Sequence, residues 1–104
     1  MSMKEIQKQV DEWAQQWKVP YWEPLEMLAR LTEETGELAR EFNHRFGPKK
    51  KKSSEEIKEI SEELGDILFT ISCMANRFKI DLDDSFSDVM NKLYGRDKDR
   101  YEKK

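Results

Sequence analysis

Residues 57–78 read IKEISEELGDILFTISCMANRF, and Ile57, Ile60, Leu64, Ile67, Leu68, Ile71, Ala75 and Phe78 recur at the three- and four-residue spacing of one helix face. The spacing predicts a helix over about 54–78. Between Leu64 and Met74 the apolar residues run nearly all the way round, with Phe69 and Cys73 off the main stripe. Such a helix needs cover on more than one side, from neighbouring helices or from a second copy of the chain. Asp66 is the lone charge in that turn and Asn76 follows it near the helix end.

Working outward, Ser53 with Glu56 forms a capping-box pattern ahead of this helix, and the run Lys49–Lys52 before it reads as a polar connection or a basic flap. Pro24 suits the first turn of a preceding helix, about 24–46, whose Leu28, Leu31, Leu38 and Phe42 share a stripe and which Gly47-Pro48 ends. Ser2 with Glu5 caps a first helix, about 2–18, in which Ile6, Val10, Trp13 and Trp17 recur at helical spacing until Val19-Pro20. Beyond the long helix, Ile80-Asp81-Leu82-Asp83-Asp84 supplies acidic caps to a fourth carrying Phe86, Val89, Met90 and Leu93, with Gly95 and a charged tail after it. The expected fold is one all-α domain over 1–104, a four-helix bundle-like subunit.

Charged residues make up 39% of the 104 and hydrophobic ones 37%, with few glycines and prolines, as long amphipathic helices require. A core this small is marginal alone, so a homodimer or homotetramer is expected. The net charge of −3 and the absence of a basic stripe argue against nucleic-acid binding. No apolar run is long enough for a membrane span, none resembles a leader, and the single Cys73 forms no internal disulfide, so the expected setting is cytoplasmic, without a membrane partner.

Two acidic clusters stand out, Glu33-Glu34-Thr35-Gly36-Glu37 and Glu62-Glu63-Leu64-Gly65-Asp66. Glu34 with Glu37 and Glu63 with Asp66 are i, i+3 pairs, and antiparallel packing of their helices would bring the pairs together. Glu33 points nearly the opposite way from the Leu31–Leu38 stripe. Carboxylates a few Å apart repel by several kcal/mol at an effective dielectric of about 20, and burial adds to that unless protons or cations compensate. An all-oxygen donor set suits Mg²⁺, Mn²⁺ or Ca²⁺.

The pattern Glu33-Glu34-x-x-Glu37 followed by Glu63-x-x-Asp66 resembles the EExxE…ExxD signature of the MazG-like nucleoside triphosphate pyrophosphohydrolases. The likeness extends to Arg30-Leu31-Thr32, Gly36-Glu37-Leu38, Glu63 through Leu68 and a basic segment near the end. It implies an all-α, oligomeric enzyme that cleaves between the α- and β-phosphates with Mg²⁺, Mn²⁺ being a possible substitute. It implies Glu34, Glu37, Glu63 and Asp66 as metal ligands, and Glu33 as the residue that orients or deprotonates the attacking water. Lys92, Arg96 and Arg100 are the matching phosphate-binding candidates.

Trp22, in a Pro-flanked loop, is the candidate for stacking a nucleobase, with Asn76 to read a base edge. The spacing of Trp13 and Trp17 with Ile6 and Val10 places those two in the core. Arg30, one turn before Glu34, reads as its structural partner. Two alternatives share these residues: a phosphoribosyl-ATP pyrophosphohydrolase-like enzyme, and a non-catalytic helical module that binds a metal or a basic partner.

Overall fold

A computed structural model describes residues 1–48 and 53–104, with the backbone alone over 53–58. Its four helices are α1 (Met3–Ala14), α2 (Pro24–Phe46), α3 (Ser53–Arg77) and α4 (Leu82–Arg96), and no strand occurs among the described residues. The Lys49–Lys52 run, the Ser53–Glu56 capping pair and the Ile57 side chain lie outside the described residues. Among the described residues, no helix is long and apolar enough to cross a membrane.

Local chemistry sets most boundaries. Ser2 Oγ accepts the Glu5 N–H at 3.1 Å, while the Glu5 carboxylate accepts the Ser2 N–H at 3.4 Å, which caps α1 reciprocally. The other end of α1 arrives about a turn earlier than the apolar spacing predicts. Gln16 and Trp17 donate their N–H groups to the i−3 carbonyls of Trp13 and Ala14, and this tightened turn leads the chain out of the helix ahead of Pro20. α3 closes on Lys79, which takes the left-handed conformation at φ 56°, while Ile80 donates back to the Ala75 carbonyl at 2.8 Å. Asp81 then caps α4 by accepting from Asp83 and Asp84 N–H.

α2 and α3 form an antiparallel pair in which Met27 lies near Cys73 and Glu34 near Glu63. α1 packs on α3, and α4 rests on α1. The attachment of α4 is concentrated in its first turn. Both Asp83 carboxylate oxygens accept α1 N–H groups, from Met3 at 3.1 Å and Lys4 at 3.0 Å, and the Leu82 N–H reaches Gln7 Oε1 at 3.0 Å. Beyond that turn Phe86, Val89 and Leu93 are exposed. The radius of gyration is 17.0 Å, against about 13 Å for a compact chain of this length. The four helices therefore do not close into a bundle within one protomer.

What is buried is small. Ala14, Met27, Cys73 and Ala75 form the apolar interior, beside Thr70 and Ser72. Those two hydroxyls donate to the i−4 carbonyls of Asp66 and Leu68, at 3.0 and 2.8 Å, so they enter the interior already hydrogen-bonded. The face of α3 that turns inward is thus its small-residue face, while Leu64, Leu68 and Phe78 of the expected main stripe are exposed, as are Leu25, Leu28, Phe42 and Phe46 of α2. Cys73, off the main stripe and expected at or near a subunit contact, is covered within the protomer, and Phe69 is half-buried edge-on to Trp13 at 5.5 Å.

Candidate functional site

One oxygen each from Glu34, Glu37 and Glu63 lies within 4.8 Å of the other two. Glu34 is carried inward on the Met27–Glu34–Glu41 line of α2 and is only 2% exposed; Glu37, one turn on, is open to solvent, and Glu63 on α3 is half-buried. Arg30 donates to Glu34 Oε1 at 2.8 Å, the structural role expected of it. That leaves Glu34 Oε2 and Glu63 Oε2, both buried and both without a hydrogen-bond partner. The consequence falls on Glu63. Burial first, then the adjoining carboxylates of Glu34 and Glu37, pushes its carboxyl up from the ordinary 4.5 to about 7.

A cluster of this kind holds either a shared proton or a cation. Two orphaned buried oxygens in an all-carboxylate set fit a hard divalent ion, which would relieve the repulsion that Arg30 offsets at Glu34 alone among the three. Asp66 stands outside the trio: its side chain is exposed, and its main-chain carbonyl takes the Thr70 hydroxyl. Glu33 is also outside, exposed and 4.0 Å from Arg30. The sequence reading missed Glu41, buried one turn beyond Glu37, which lines a polar hollow of about 310 Å³ with Arg40, Glu59 and Glu62. Its signal was present, because Glu34, Glu37 and Glu41 follow the i, i+3, i+7 line of one helix face.

A second cavity of about 400 Å³ opens farther along the helix pair, lined by Trp13, Trp17, Trp22, Phe69, Met27 and Cys73. Phe69 follows Glu63 by six residues, which places the cavity about 9 Å along α3 from the acidic cluster. Trp13 and Trp17 are not core as expected: each is about half-exposed, at 49% and 52%, and they meet edge-on at 5.7 Å on the rim with Trp22, Trp17 lying beyond the early end of α1. Burial pushes the Cys73 thiol up to about 11, which leaves it a packed, protonated group.

Asn76 is committed to the fold. Its Nδ2 donates to the Gln7 carbonyl at 2.9 Å and to Tyr21 Oη at 3.1 Å, while its Oδ1 accepts from Gln7 Nε2 at 3.1 Å. A base edge would have to displace those bonds. Arg96 and Arg100 both pair with Asp97 at 3.1 Å at the end of α4, and Lys92 is exposed on the same helix. α4 packs on α1, so these cations are not brought to the carboxylates of their own protomer.

Residues 23–101 match the family model for the MazG nucleotide pyrophosphohydrolase domain. YpjD of Bacillus subtilis (strain 168) is 52% identical over 103 residues, covering 99% of this chain and 93% of that protein. The crystal structure of YpjD superposes with a TM-score of 0.83 at 50% identity, over 89% of this chain and 95% of that one. The crystal structure of a Bacillus-conserved MazG protein, described as a nucleotide pyrophosphohydrolase, gives 0.79 at 49% identity over 89% and 90%. These matches define an all-α enzyme of the nucleotide pyrophosphohydrolase class. The chain belongs to the MazG nucleotide pyrophosphohydrolase family.

Proposed function

We propose that this protein hydrolyses the α–β phosphoanhydride of a nucleoside triphosphate, ordinary or modified, to the monophosphate and pyrophosphate in a Mg²⁺-dependent reaction. The observation that carries the reading is the Glu34–Glu37–Glu63 trio with its two buried, unpartnered oxygens. Glu34, Glu37 and Glu63 would hold the ion, with Asp66 on the next turn of α3 as the fourth carboxylate. When bound there, Mg²⁺, or Mn²⁺ in its place, supplies neutralisation of the phosphate oxygens and a lowered pKa for water.

The chain's own groups do the remaining work. Arg30 fixes Glu34 through Oε1 and so keeps Oε2 turned to its neighbours. Glu33, facing solvent on the same turn, accepts the proton of the attacking water. Trp22, with Trp13 and Trp17, stacks the base in the aromatic cavity, at a distance from the trio that suits one nucleoside. Lys92, Arg96 and Arg100 neutralise phosphates. Since α4 rests on its own α1, these cations serve the site of a second copy, in a homodimer or homotetramer that also covers Leu28, Phe42, Leu64 and Phe86. A cytoplasmic setting with a nucleotide substrate completes the reading, with neither nucleic acid nor membrane as a partner.

The test is a panel of ribo- and deoxyribonucleoside triphosphates incubated with the protein and Mg²⁺, with the products separated. Monophosphate plus pyrophosphate supports the reading; orthophosphate release, or no turnover of any member, overturns it. Light scattering that finds a monomer at micromolar concentration removes the assembly from it.

A further inference from the structure

The α1–α2 connection, residues 15–23, forms one wall of the aromatic cavity through Trp17, Val19, Pro20, Tyr21 and Trp22, and little in its apolar side chains can hold it in place. An exposed connection of this kind is mobile unless it is tied down. The tie is Tyr21. Its hydroxyl donates to Asp11 Oδ1 on α1 at 2.5 Å and accepts from Asn76 Nδ2 on α3 at 3.1 Å. Asn76 is itself fixed by Gln7, whose Nε2 also donates to the Ile80 carbonyl at 2.8 Å, so Tyr21 ends on a support that does not move with the loop. Burial and the Asp11 carboxylate push the phenol up to about 12, so it keeps its proton and remains a donor at working pH. On the other side of Trp22 the hold is weaker: Arg77 donates to the Trp22 carbonyl at 3.4 Å and pairs with Glu23 at 3.6 Å.

We infer that Tyr21 is a positioning residue, which through Asp11 and Asn76 sets the Pro20–Trp22 wall against Trp13 and Phe69 and so fixes affinity for the nucleobase without touching the phosphates. The inference rests on the reading of the aromatic cavity as the base subsite. The Tyr21 hydroxyl and the Gln7 and Asn76 amides are engaged within the fold, so their part is to hold a stacking surface, and the base is gripped by its faces.

The test compares equilibrium binding, with Mg²⁺ present, of the non-cleavable α,β-methylene analogue of ATP and of inorganic tripolyphosphate, which has no base. Tyr21→Phe removes both hydrogen bonds of the hydroxyl and is expected to weaken the analogue about 5- to 10-fold while leaving tripolyphosphate unchanged. Asp11→Ala should copy that effect, and Asp11→Asn, which keeps an acceptor oxygen, should restore wild-type binding. Circular dichroism and thermal melts establish that each variant is folded, and a Tyr21→Phe protein that fails to fold passes the test to the Asp11 pair. Unchanged binding of the analogue in Tyr21→Phe and Asp11→Ala overturns the inference, as does an equal loss for tripolyphosphate. If wild type binds the analogue no better than tripolyphosphate, or if Trp22→Ala leaves the analogue's affinity unchanged, the base-subsite reading fails and the inference falls with it. If Trp22→Ala weakens the analogue and Tyr21→Phe does not, only the positioning role is lost.

Discussion

The two ends of α3 treat buried polarity in opposite ways. Around Glu63 the interior holds carboxylate oxygens with no partner, Glu34 Oε2 and Glu63 Oε2, packed against a third negative group. Around Asn76, some twenty Å along the same helix, an equally polar interior is satisfied: Gln7 bonds Asn76, Ile80 and Leu82, and Asn76 bonds Gln7 and Tyr21. An amide carries both donors and acceptors and can close a network by itself, whereas a carboxylate only accepts. Three carboxylates in contact therefore wait for a proton or a cation, and the amides wait for nothing. The contrast separates the end of the molecule proposed to meet a ligand from the end that holds the molecule together.

The largest effects should appear where the contrast is broken at the acidic end. Glu37→Ala and Glu63→Gln are expected to cut kcat by about 10³-fold or more in the pyrophosphate-release assay, on the scale of removing a principal electrostatic group. At the same time Glu63→Gln should raise the thermal midpoint of the metal-free protein, since it removes a repelling charge and supplies a donor to Glu34. A variant that loses activity and stability together would mark Glu63 as scaffold. At the amide end the signs reverse. Gln7→Leu keeps the bulk but leaves the Leu82 N–H, the Ile80 carbonyl and Asn76 Oδ1 without their partner, which should cost about 2–4 kcal/mol in urea unfolding and loosen α4.

The parts of the molecule legible in the sequence are those decided locally. Pro24, Gly47-Pro48, the Ser2–Glu5 box and the Asp81 cap act within one turn, and α2 begins and ends where Pro24 and Gly47-Pro48 place it. α1 was overread because apolar spacing continues to Trp17 after the hydrogen bonding has already changed at Gln16. The approach of Glu34, Glu37 and Glu63 could be anticipated from i, i+3 spacing and antiparallel packing, while the exposure of Asp66 could not, because it depends on which face of α3 turns toward α2. Asn76 illustrates the deeper limit: nothing within its own helix tells that its amide is claimed by Gln7, 69 residues away. Leu64 and Leu68 are a related case, since their spacing marks a face to be covered but not by which chain.

The pH dependence of the metal-free protein sharpens the comparison further. The Glu63 carboxyl is raised from 4.5 to about 7 in the folded chain, so between those values the folded state holds a proton that the unfolded state has released. Stability from this group is therefore present at the acidic side and is lost as pH rises from about 4.5 through 7, with no further change above. Metal-free protein should melt several degrees lower at pH 8 than at pH 5.5, and Mg²⁺ at about 100 times its Kd should return about 2.7 kcal/mol at pH 8 by mass action. Calorimetric melts with and without chelator test this. The deficit of Gln7→Leu, which involves no titrating group, should stay the same across that range.

The smallest expected effect lies just beyond the amide knot, at the one described non-glycine residue with positive φ. Lys79 sits at φ 56° where α3 hands over to α4, and the Ile80 N–H to Ala75 carbonyl bond of 2.8 Å holds it there. A side chain in the left-handed region costs about 1 kcal/mol or more, because Cβ crowds the following peptide, and glycine escapes that cost. Glycine also gives the unfolded chain more freedom, which returns roughly 0.4–1 kcal/mol to the other side. Lys79→Gly should therefore stabilise the protein by about 0.5 kcal/mol, and Lys79→Val, whose branch worsens the crowding, should destabilise it. Neither substitution touches the carboxylates, so kcat for pyrophosphate release should match wild type in both. Urea titrations of the pair measure the difference directly, and a glycine variant less stable than wild type would show that the Lys79 side chain contributes more to the α3–α4 turn than its strained backbone takes away.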